Sequence, residues 1–184
     1  MTCIVGLQHD GDVYIGGDSA ASGGWEQHLL SETKVFENGP FLFGWAGSSR
    51  DANLIRHAFT PPLRDSSLSD MKFLVTVFMD AVRNCLKAGG SSWVKDNKEY
   101  THSHFLVAYR GGLYAVYGDY QIMGVTQNYL AVGSGSEVAH GAMYASGHDE
   151  DLTPEGRLRT ALAAAAFHTP FVRDPFHILK APKE

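Results

Sequence analysis

The first part of the chain contains short apolar runs that are separated by turn-forming dipeptides. Cys3 to Leu7 and Asp12 to Ile15 flank an Asp-Gly pair, and Thr33 to Phe36 and Phe41 to Ala46 flank an Asn-Gly pair. Both dipeptides favour the positive backbone angles of tight hairpin turns. The chain is therefore predicted to open with two β-hairpins.

Apolar residues then recur at helical spacing. One helix is predicted from a cap at Ser48 or Ser49 to about Phe59, and a second helix from Ser69 to about Ala88. The second helix has an apolar residue at every fourth position, namely Phe73, Val77, Ala81 and Cys85. Leu74, Phe78 and Val82 widen this stripe, so we expect this face to be buried.

The rest of the chain repeats the order of strands followed by helices. Its predicted elements are a hairpin of His104 to Tyr109 and Leu113 to Tyr117, strands near Ile122 and Tyr129, helices from Ser136 to Ser146 and from Pro154 to Phe167, and a strand from Phe176 to Leu179. This order indicates an α+β fold of two antiparallel sheets flanked by helices. We expect one domain over residues 1–184.

Composition limits the possible functions. A net charge of -5 provides no basic surface for nucleic acid or anionic lipid, and the longest apolar run, Ala161 to Phe167, is much shorter than the roughly 20 residues of a membrane span. The start of the chain lacks a positive leader, and Cys3 and Cys85 are too few for a disulfide scaffold. We expect a cytoplasmic protein that binds neither nucleic acid nor membrane.

Thr2 is the candidate for chemistry. Methionine before a small residue is normally removed, which would leave a hydroxyl and a free α-amine on Thr2. A threonine hydroxyl needs an adjacent base to become nucleophilic, and an N-terminal amine titrates near roughly pH 7.7 to 8.0. The alternative interpretation is that Thr2 only begins a strand.

Five separated segments carry a resemblance to a known family. They are residues 2–6 (TCIVG), 11–18 (GDVYIGGD), 34–36 (KVF), 44–47 (GWAG) and 131–136 (AVGSGS). In this order they resemble the motifs of proteasome β subunits and of the bacterial HslV-like peptidases, which are N-terminal-nucleophile hydrolases. The resemblance implies a four-layer αββα sandwich.

The resemblance also implies catalytic roles. Thr2 would attack the scissile carbonyl, Lys34 would act electrostatically, and Asp18 would hold Lys34. Gly47 would present its N–H to the oxyanion, and Ser134 would orient the Thr2 amine. Asp18 as a turn residue and Lys34 as an exposed strand charge are the alternatives.

Substrate-binding residues are implied at Ala21, Glu32, Ala46 and Arg50. A small Ala46 would leave room for a bulky apolar substrate side chain. Arg50 and Glu32 could equally be charges at the rim of the pocket.

One segment departs from the family, which places an aspartate that holds the threonine amine after the last long helix. His168 lies near that position here and could supply a substitute hydrogen bond, or it could simply end the helix. Asp174 is a more distant candidate.

The implied partners are peptide or unfolded protein as substrate, further copies in a homo-oligomeric ring, and an ATP-dependent unfoldase, because the chain has no Walker sequence of its own. We expect no cofactor and no metal, since His102-Ser103-His104 lacks further ligands at zinc spacing. A catalytically silent assembly subunit and a small-amide hydrolase are the alternatives.

Overall fold

A computed structural model describes residues 2–23 and 26–182 of the protein. The strands in this part are β1 (Cys3–His9), β2 (Asp12–Gly17), β3 (Ala20–Gly23), β4 (Glu26–Leu29), β5 (Val35–Asn38), β6 (Phe41–Ala46), β7 (Ser92–Lys95), β8 (Lys98–Thr101), β9 (His104–Tyr109), β10 (Gly112–Val116), β11 (Ile122–Gly124), β12 (Tyr129–Gly133) and β13 (His177–Lys180). The helices are α1 (Ser49–His57), α2 (Asp70–Phe73), α3 (Met79–Ala88), α4 (Ser136–Ala145) and α5 (Pro154–His168).

Two antiparallel sheets form the centre of the fold. The first has the strand order β12-β1-β2-β13, and the second has the order β11-β10-β9-β6-β5. The three predicted hairpins are present as β1–β2, β5–β6 and β9–β10. Asp10 and Gly11 in the first turn, and Arg110 and Gly111 in the third, all have positive φ angles, as primed turns require.

Three apolar layers show how the sheets and helices stack. The layer between the sheets combines side chains of both, including Ile4, Ile15, Leu42, Leu106 and Val132. The outer face of the first sheet packs on α4 and α5, and the outer face of the second packs on α1, α2 and α3. The fold is therefore an αββα sandwich of two antiparallel sheets flanked by helices, which confirms the predicted fold class.

The second predicted helix is present, and its predicted apolar face is buried. A π-helical turn, Leu74–Phe78, joins α2 to α3 and adds one residue to the repeat. Phe73, Leu74, Phe78, Val82 and Leu86 are fully buried, and Val77, Ala81 and Cys85 are partly buried against the same core. The predicted buried stripe is therefore confirmed, although the sequence did not predict the π turn.

The sequence pattern missed two short hairpins, β3–β4 and β7–β8. Their strands have four residues each and lack a clear alternation of apolar and polar positions. Asp96 and Asn97 both have positive φ in the β7–β8 turn, so an Asp-Asn pair forms this turn without a glycine. No helix in the described residues is long and apolar enough to cross a membrane.

Candidate active site

The antiparallel pairing of β1 with β2 places Asp18 beside the start of the chain. Ile4 lies opposite Gly17, so the next residue of each strand brings Asp18 beside Cys3. The backbone N–H of Cys3 donates to Asp18 Oδ1 at 2.9 Å, and the N–H of Asp18 donates to the Cys3 carbonyl at 3.2 Å. The Asp18 carboxylate, which is fully buried, is thereby fixed one residue from Thr2.

Lys34 connects this carboxylate to the Thr2 hydroxyl. Its Nζ lies 2.9 Å from Thr2 Oγ1 and 2.9 Å from Asp18 Oδ1. Burial lowers the pKa of Lys34 from its ordinary value, and the adjacent Asp18 carboxylate partly opposes this change. The structure thus brings three of the predicted site residues, Thr2, Asp18 and Lys34, into one hydrogen-bonded chain.

Asp18 also accepts backbone hydrogen bonds through its second oxygen. Oδ2 accepts from the N–H of Ala20 at 3.0 Å and from that of Arg173 at 3.4 Å. Together with the Cys3 N–H and the Lys34 ammonium, these donors compensate the burial of a carboxylate. The environment of Asp18 therefore supports an ion pair rather than a solvated turn residue.

The turn after β12 contacts the backbone of Thr2, on the side away from Lys34. Cys3 pairs with Gly133, and the Thr2 N–H donates to Ser134 Oγ at 3.2 Å. Gly133 has a φ of 96°, and a Cβ at this position would lie 2.3 Å from the Thr2 carbonyl oxygen. A glycine is needed here because both the backbone angle and the close approach exclude a side chain.

Gly47 lies at the junction of β6 and α1. Its φ is 122°, and a Cβ on it would lie 2.4 Å from the His102 carbonyl oxygen and 2.7 Å from the Ser103 Cα. Both obstacles are backbone atoms, so they cannot move aside as a flexible side chain would. Gly47 borders the space in front of Thr2.

We expect Gly47→Ala to destabilise the fold by about 2 to 4 kcal/mol, because it combines a strained backbone angle with a backbone clash. Gly141→Ala is the matched control, since Gly141 lies in α4 with open space around its Cβ direction. That change should be neutral or stabilising by up to about 1 kcal/mol. Urea unfolding measures both variants, and equal effects would contradict this account of Gly47.

A buried network that the sequence analysis missed holds the Gly47 turn. Ser103 Oγ accepts from the Ser48 N–H at 3.2 Å and from Trp45 Nε1 at 2.9 Å, and it donates to Asp51 Oδ2 at 2.7 Å. The fully buried Asp51 also accepts from the hydroxyls of Ser91 and Thr101. The network fixes the backbone on both sides of Gly47.

Two cavities meet at Thr2. The first cavity, of about 320 Å³, lies on the side of Lys34 and is lined by Thr2, Ala20, Ala21, Ser22, Leu30, Ser31, Glu32, Thr33, Lys34, Trp45, Gly47, Ser48, Ser49, Ala52, Asn53 and Arg56. The second cavity, of about 550 Å³, lies on the side of Ser134 and is lined by Thr2, Ala46, Gly47, His102, His104, Tyr117, Ala131, Val132, Gly133, Ser134, Ser136 and His140.

The four residues predicted to bind substrate do not all line the same cavity. Ala21 and Glu32 line the first cavity, but Ala46 lines the second, and its neighbour Trp45 lines the first. Arg50 is exposed and donates to the Gly89 carbonyl at 3.2 Å, and it lines neither cavity. Trp45, rather than the predicted Ala46, therefore lines the first cavity.

Arg56 is a cavity residue that the sequence analysis did not identify. Its guanidinium donates to the Thr33 carbonyl, lies 3.7 Å from a Glu32 carboxylate oxygen and covers the Phe36 ring at 4.2 Å. Burial lowers the pKa of Arg56, and Glu32 opposes the change. The available signal in the sequence was helical spacing, because Arg56 follows Ala52 and Ser49 on the same face of α1 and those residues line the same cavity.

His168 ends α5 and is exposed, with its ring edge-on to that of Phe167. In the described residues it makes no hydrogen bond to Thr2 and lines neither cavity. Asp174 is exposed as well, although the N–H of its neighbour Arg173 contacts Asp18. The structure therefore does not bring His168 to the Thr2 nitrogen.

Cys3 is buried beside Asp18, and burial raises the pKa of its thiol to about 12, so a thiolate is disfavoured. Within residues 2–23 and 26–182, no group of three His, Cys, Asp or Glu side chains converges as metal ligands. The reactive group that the geometry offers is the Thr2 hydroxyl beside the Lys34 ammonium.

No protein-family model and no curated protein matches the sequence. Solved structures do match the fold. BPH from Thiobacillus denitrificans, in complex with epoxomicin, is similar with a TM-score of 0.83 and 22% identity over 99% of both chains. HslV from Trypanosoma brucei is similar with a TM-score of 0.68 and 17% identity, covering 97% of this chain and 98% of that one.

Anbu, an ancestral β-subunit from Yersinia bercovieri, is also similar in fold. The TM-score is 0.64 and the identity 14%, with 99% of this chain and 82% of that chain covered. The fold is therefore the one found in HslV-like, proteasome-type proteins, as the sequence motifs predicted.

Proposed function

We propose that this chain is a threonine-type peptidase subunit, built as one domain over residues 1–184, in which removal of Met1 exposes Thr2 as the nucleophile. The observation that supports this most strongly is the chain of contacts from Thr2 Oγ1 to Lys34 Nζ to Asp18, with the Thr2 nitrogen next to Ser134 Oγ. This arrangement concentrates a hydroxyl, a cation and the prospective amine at one end of a strand.

In the proposed reaction, Thr2 Oγ1 attacks the carbonyl carbon and its proton passes to the Thr2 amine. The amine then gives the proton to the leaving nitrogen, which departs and leaves an acyl ester on Thr2. Water, activated by the same amine, hydrolyses the ester and restores the hydroxyl. One residue thus serves as both nucleophile and base.

Lys34 and Gly47 would stabilise the charges that develop. The Lys34 ammonium lies 2.9 Å from Thr2 Oγ1, so it favours the deprotonated hydroxyl and the unprotonated amine. The Gly47 N–H would donate to the oxyanion, and such a donor typically contributes about 2.7 to 4 kcal/mol of barrier reduction.

The Ser103 network should matter for this oxyanion donor. We expect Ser103→Ala to lower kcat about tenfold or more with little change in KM, because the Ser48 N–H and Trp45 Nε1 lose their acceptor. Ser91→Ala is the matched control, since it removes a hydroxyl from Asp51 without contacting the Gly47 turn. Steady-state kinetics and urea unfolding of both variants test this, and equal loss of kcat would contradict the positioning role.

The proposed partners are peptide or unfolded protein as substrate, other copies in a homo-oligomeric ring, and an ATP-dependent unfoldase in the cytoplasm. Support for association comes from large apolar side chains on the surface of the described residues, including Leu63, Val94, Tyr144 and Phe167. The structural similarity to HslV and to a β-subunit also supports a subunit role.

A catalytically silent assembly subunit is the second candidate. The observation that favours it is the absence, among the described residues, of a carboxylate that contacts the Thr2 nitrogen, whose side-chain partner is Ser134. His168, which could have replaced such a group, is exposed.

Turnover of a panel of fluorogenic peptides distinguishes the two candidates, using protein whose intact mass shows that Met1 is absent. Peptidase activity that is inhibited by epoxomicin, the compound bound in the similar BPH structure, is the expected result. A correctly processed and folded protein that cleaves no peptide would support the silent subunit.

A further inference from the structure

The second cavity has an unusual chemical character. Its lining includes three histidines and one tyrosine, His102, His104, His140 and Tyr117, together with three hydroxyl residues, Thr2, Ser134 and Ser136. Among the described residues that line it there is no aspartate or glutamate. A cavity of this composition provides hydrogen-bond donors and a capacity for positive charge, without a carboxylate of its own.

The geometry at Thr2 indicates which part of a substrate enters this cavity. In the proposed reaction the Thr2 amine gives its proton to the leaving nitrogen, so that nitrogen must lie on the amine side of Thr2. The Thr2 nitrogen lies 3.2 Å from Ser134 Oγ, and Ser134 lines the second cavity but not the first. The segment after the scissile bond therefore leads into the second cavity.

The hydrogen bonds of His140 select one tautomer of its ring. The Ala131 N–H donates to its Nε2 at 3.2 Å, and its Nδ1 lies 3.0 Å from the Ser136 carbonyl oxygen, which can only accept. Nδ1 must therefore carry the proton and Nε2 must lack one, so the ring is neutral. His140 shapes the cavity but does not supply its charge.

His102 and His104 are the two exposed imidazoles of the lining. His104 pairs with Ala46 across β9 and β6, and its ring meets Tyr117 edge-on at 5.5 Å. The His102 ring stacks on Trp93 at 5.5 Å, and Trp93 in turn stacks on Tyr100. Both residues line the same cavity, so both imidazoles can contact one ligand.

We propose that the second cavity binds a carboxylate on the leaving segment of the substrate through His102 and His104. This inference rests on the proposed function, and it adds a preference for acidic groups directly after the scissile bond. Either an aspartate side chain or the terminal carboxylate of a short leaving peptide has the required chemistry. Binding is strongest at acidic pH, because imidazoles gain charge as the pH falls through about 8 to 5.

The charged group that the structure places next to the His102–His104 segment is Asp51, which accepts from the hydroxyl of Ser103. Its carboxylate is fully buried, accepts from two further hydroxyls and does not line the cavity. Tyr117 and His140 are the other titratable side chains of the lining, Tyr100 lies behind Trp93, and the Thr2 amine adds positive charge once Met1 is removed. Among the described residues, the cavity lining therefore contains no carboxylate that would repel an acidic ligand.

Equilibrium binding to the Thr2→Ala variant tests the cavity separately from catalysis. The probes are the tripeptide amides Asp-Ala-Ala and Asn-Ala-Ala, and Asn-Ala-Ala with a free carboxyl terminus. At about pH 5.5 we expect the aspartate amide to bind about fivefold more tightly than the asparagine amide, with a smaller ratio at about pH 8.5. Tighter binding of the free acid than of its amide would identify the terminal carboxylate as the second source.

The double variant His102→Gln/His104→Gln, made in the Thr2→Ala background, should lose this discrimination, because glutamine cannot take up a proton. His148→Gln is the control, since His148 lies after α4 and outside this cavity. Equal binding of the three peptides at both pH values, or an aspartate preference that survives the double variant, would overturn the inference. Failure of wild-type turnover with an intact aspartate preference would overturn only the proposed peptidase reaction.

Discussion

Replacing Thr2 by alanine is expected to abolish peptide cleavage, with a loss of about four to six orders of magnitude in kcat. Alanine retains the N-terminal amine after Met1 removal but has no hydroxyl to attack the carbonyl. The change removes one partner of Lys34, whose Nζ still donates to Asp18. The fold should therefore persist, and steady-state turnover of a fluorogenic peptide measures the loss.

Thr2→Ser is the matched control, because it retains both the amine and a hydroxyl. It should keep activity within about one to two orders of magnitude of wild type. Met1 should be removed from both variants, since alanine and serine are also small. Wild type and Thr2→Ala cleaving at the same rate would exclude Thr2 as the nucleophile.

Replacing Lys34 by methionine is expected to lower the rate by about three orders of magnitude. Methionine has a similar length but no charge, so the hydroxyl and the amine lose the cation that favours their deprotonated forms. The rise of rate with pH should also move upward by roughly one pH unit, because the amine regains its affinity for a proton. A pH–rate profile measured beside wild type shows both effects.

Stability must be separated from catalysis for this variant. Lys34→Met leaves the buried Asp18 without its ammonium, and removing one partner of a buried pair costs about 3 to 5 kcal/mol. The double variant Asp18→Asn/Lys34→Met should regain much of that stability without regaining activity. If stability and activity returned together, Lys34 would be structural only.

The lowered pKa of Lys34 also predicts a sign for the pH dependence of stability. Burial disfavours the ammonium in the folded state, so its cost is fully present below the lowered pKa and disappears as the pH rises to the ordinary value of 10.5. This group alone makes the free energy of unfolding increase with pH in that alkaline range. Lys34→Met should remove the increase.

The sequence predicted best those parts of the fold that depend on residues close together in the chain, such as the hairpin turns. Asp10-Gly11 forms the first turn as predicted. In the second hairpin Asn38 stays in β5 and pairs with Phe41, so the two turn residues are Gly39, with positive φ, and Pro40 rather than Asn38 and Gly39. The site residues are distant in sequence, so turn chemistry alone could not bring Lys34 to Thr2. Their proximity was an expectation from the resemblance, and the pairing of β1 with β2 accounts for the position of Asp18.

The assignment of Ala46 shows how a shift of one residue changes the prediction. Successive residues of a strand point to opposite faces. Trp45 points to the outer aromatic layer and lines the first cavity, whereas Ala46 points between the sheets and lines the second. The sequence pattern alone could not decide whether Trp45 or Ala46 lines the space that is proposed to bind substrate.

The Ser103 network, in which Asp51 accepts from three hydroxyls, could not be predicted for a different reason. Asp51 lies 40 to 52 positions from Ser91, Thr101 and Ser103, and each of these residues is common in loops. Only the fold brings the hydroxyls to one buried carboxylate. A similar limit applies to His102, which the sequence analysis weighed only as a metal ligand and set aside, and which lines the second cavity in the structure.

The most direct test is the mass of the N-terminal proteolytic fragment from an active preparation, measured before and during turnover of a peptide ester. The account predicts that this fragment begins at Thr2 and transiently gains the mass of the acyl group. An active preparation whose N-terminal fragment still begins at Met1, or remains unacylated while the acyl group appears on another residue, would contradict it.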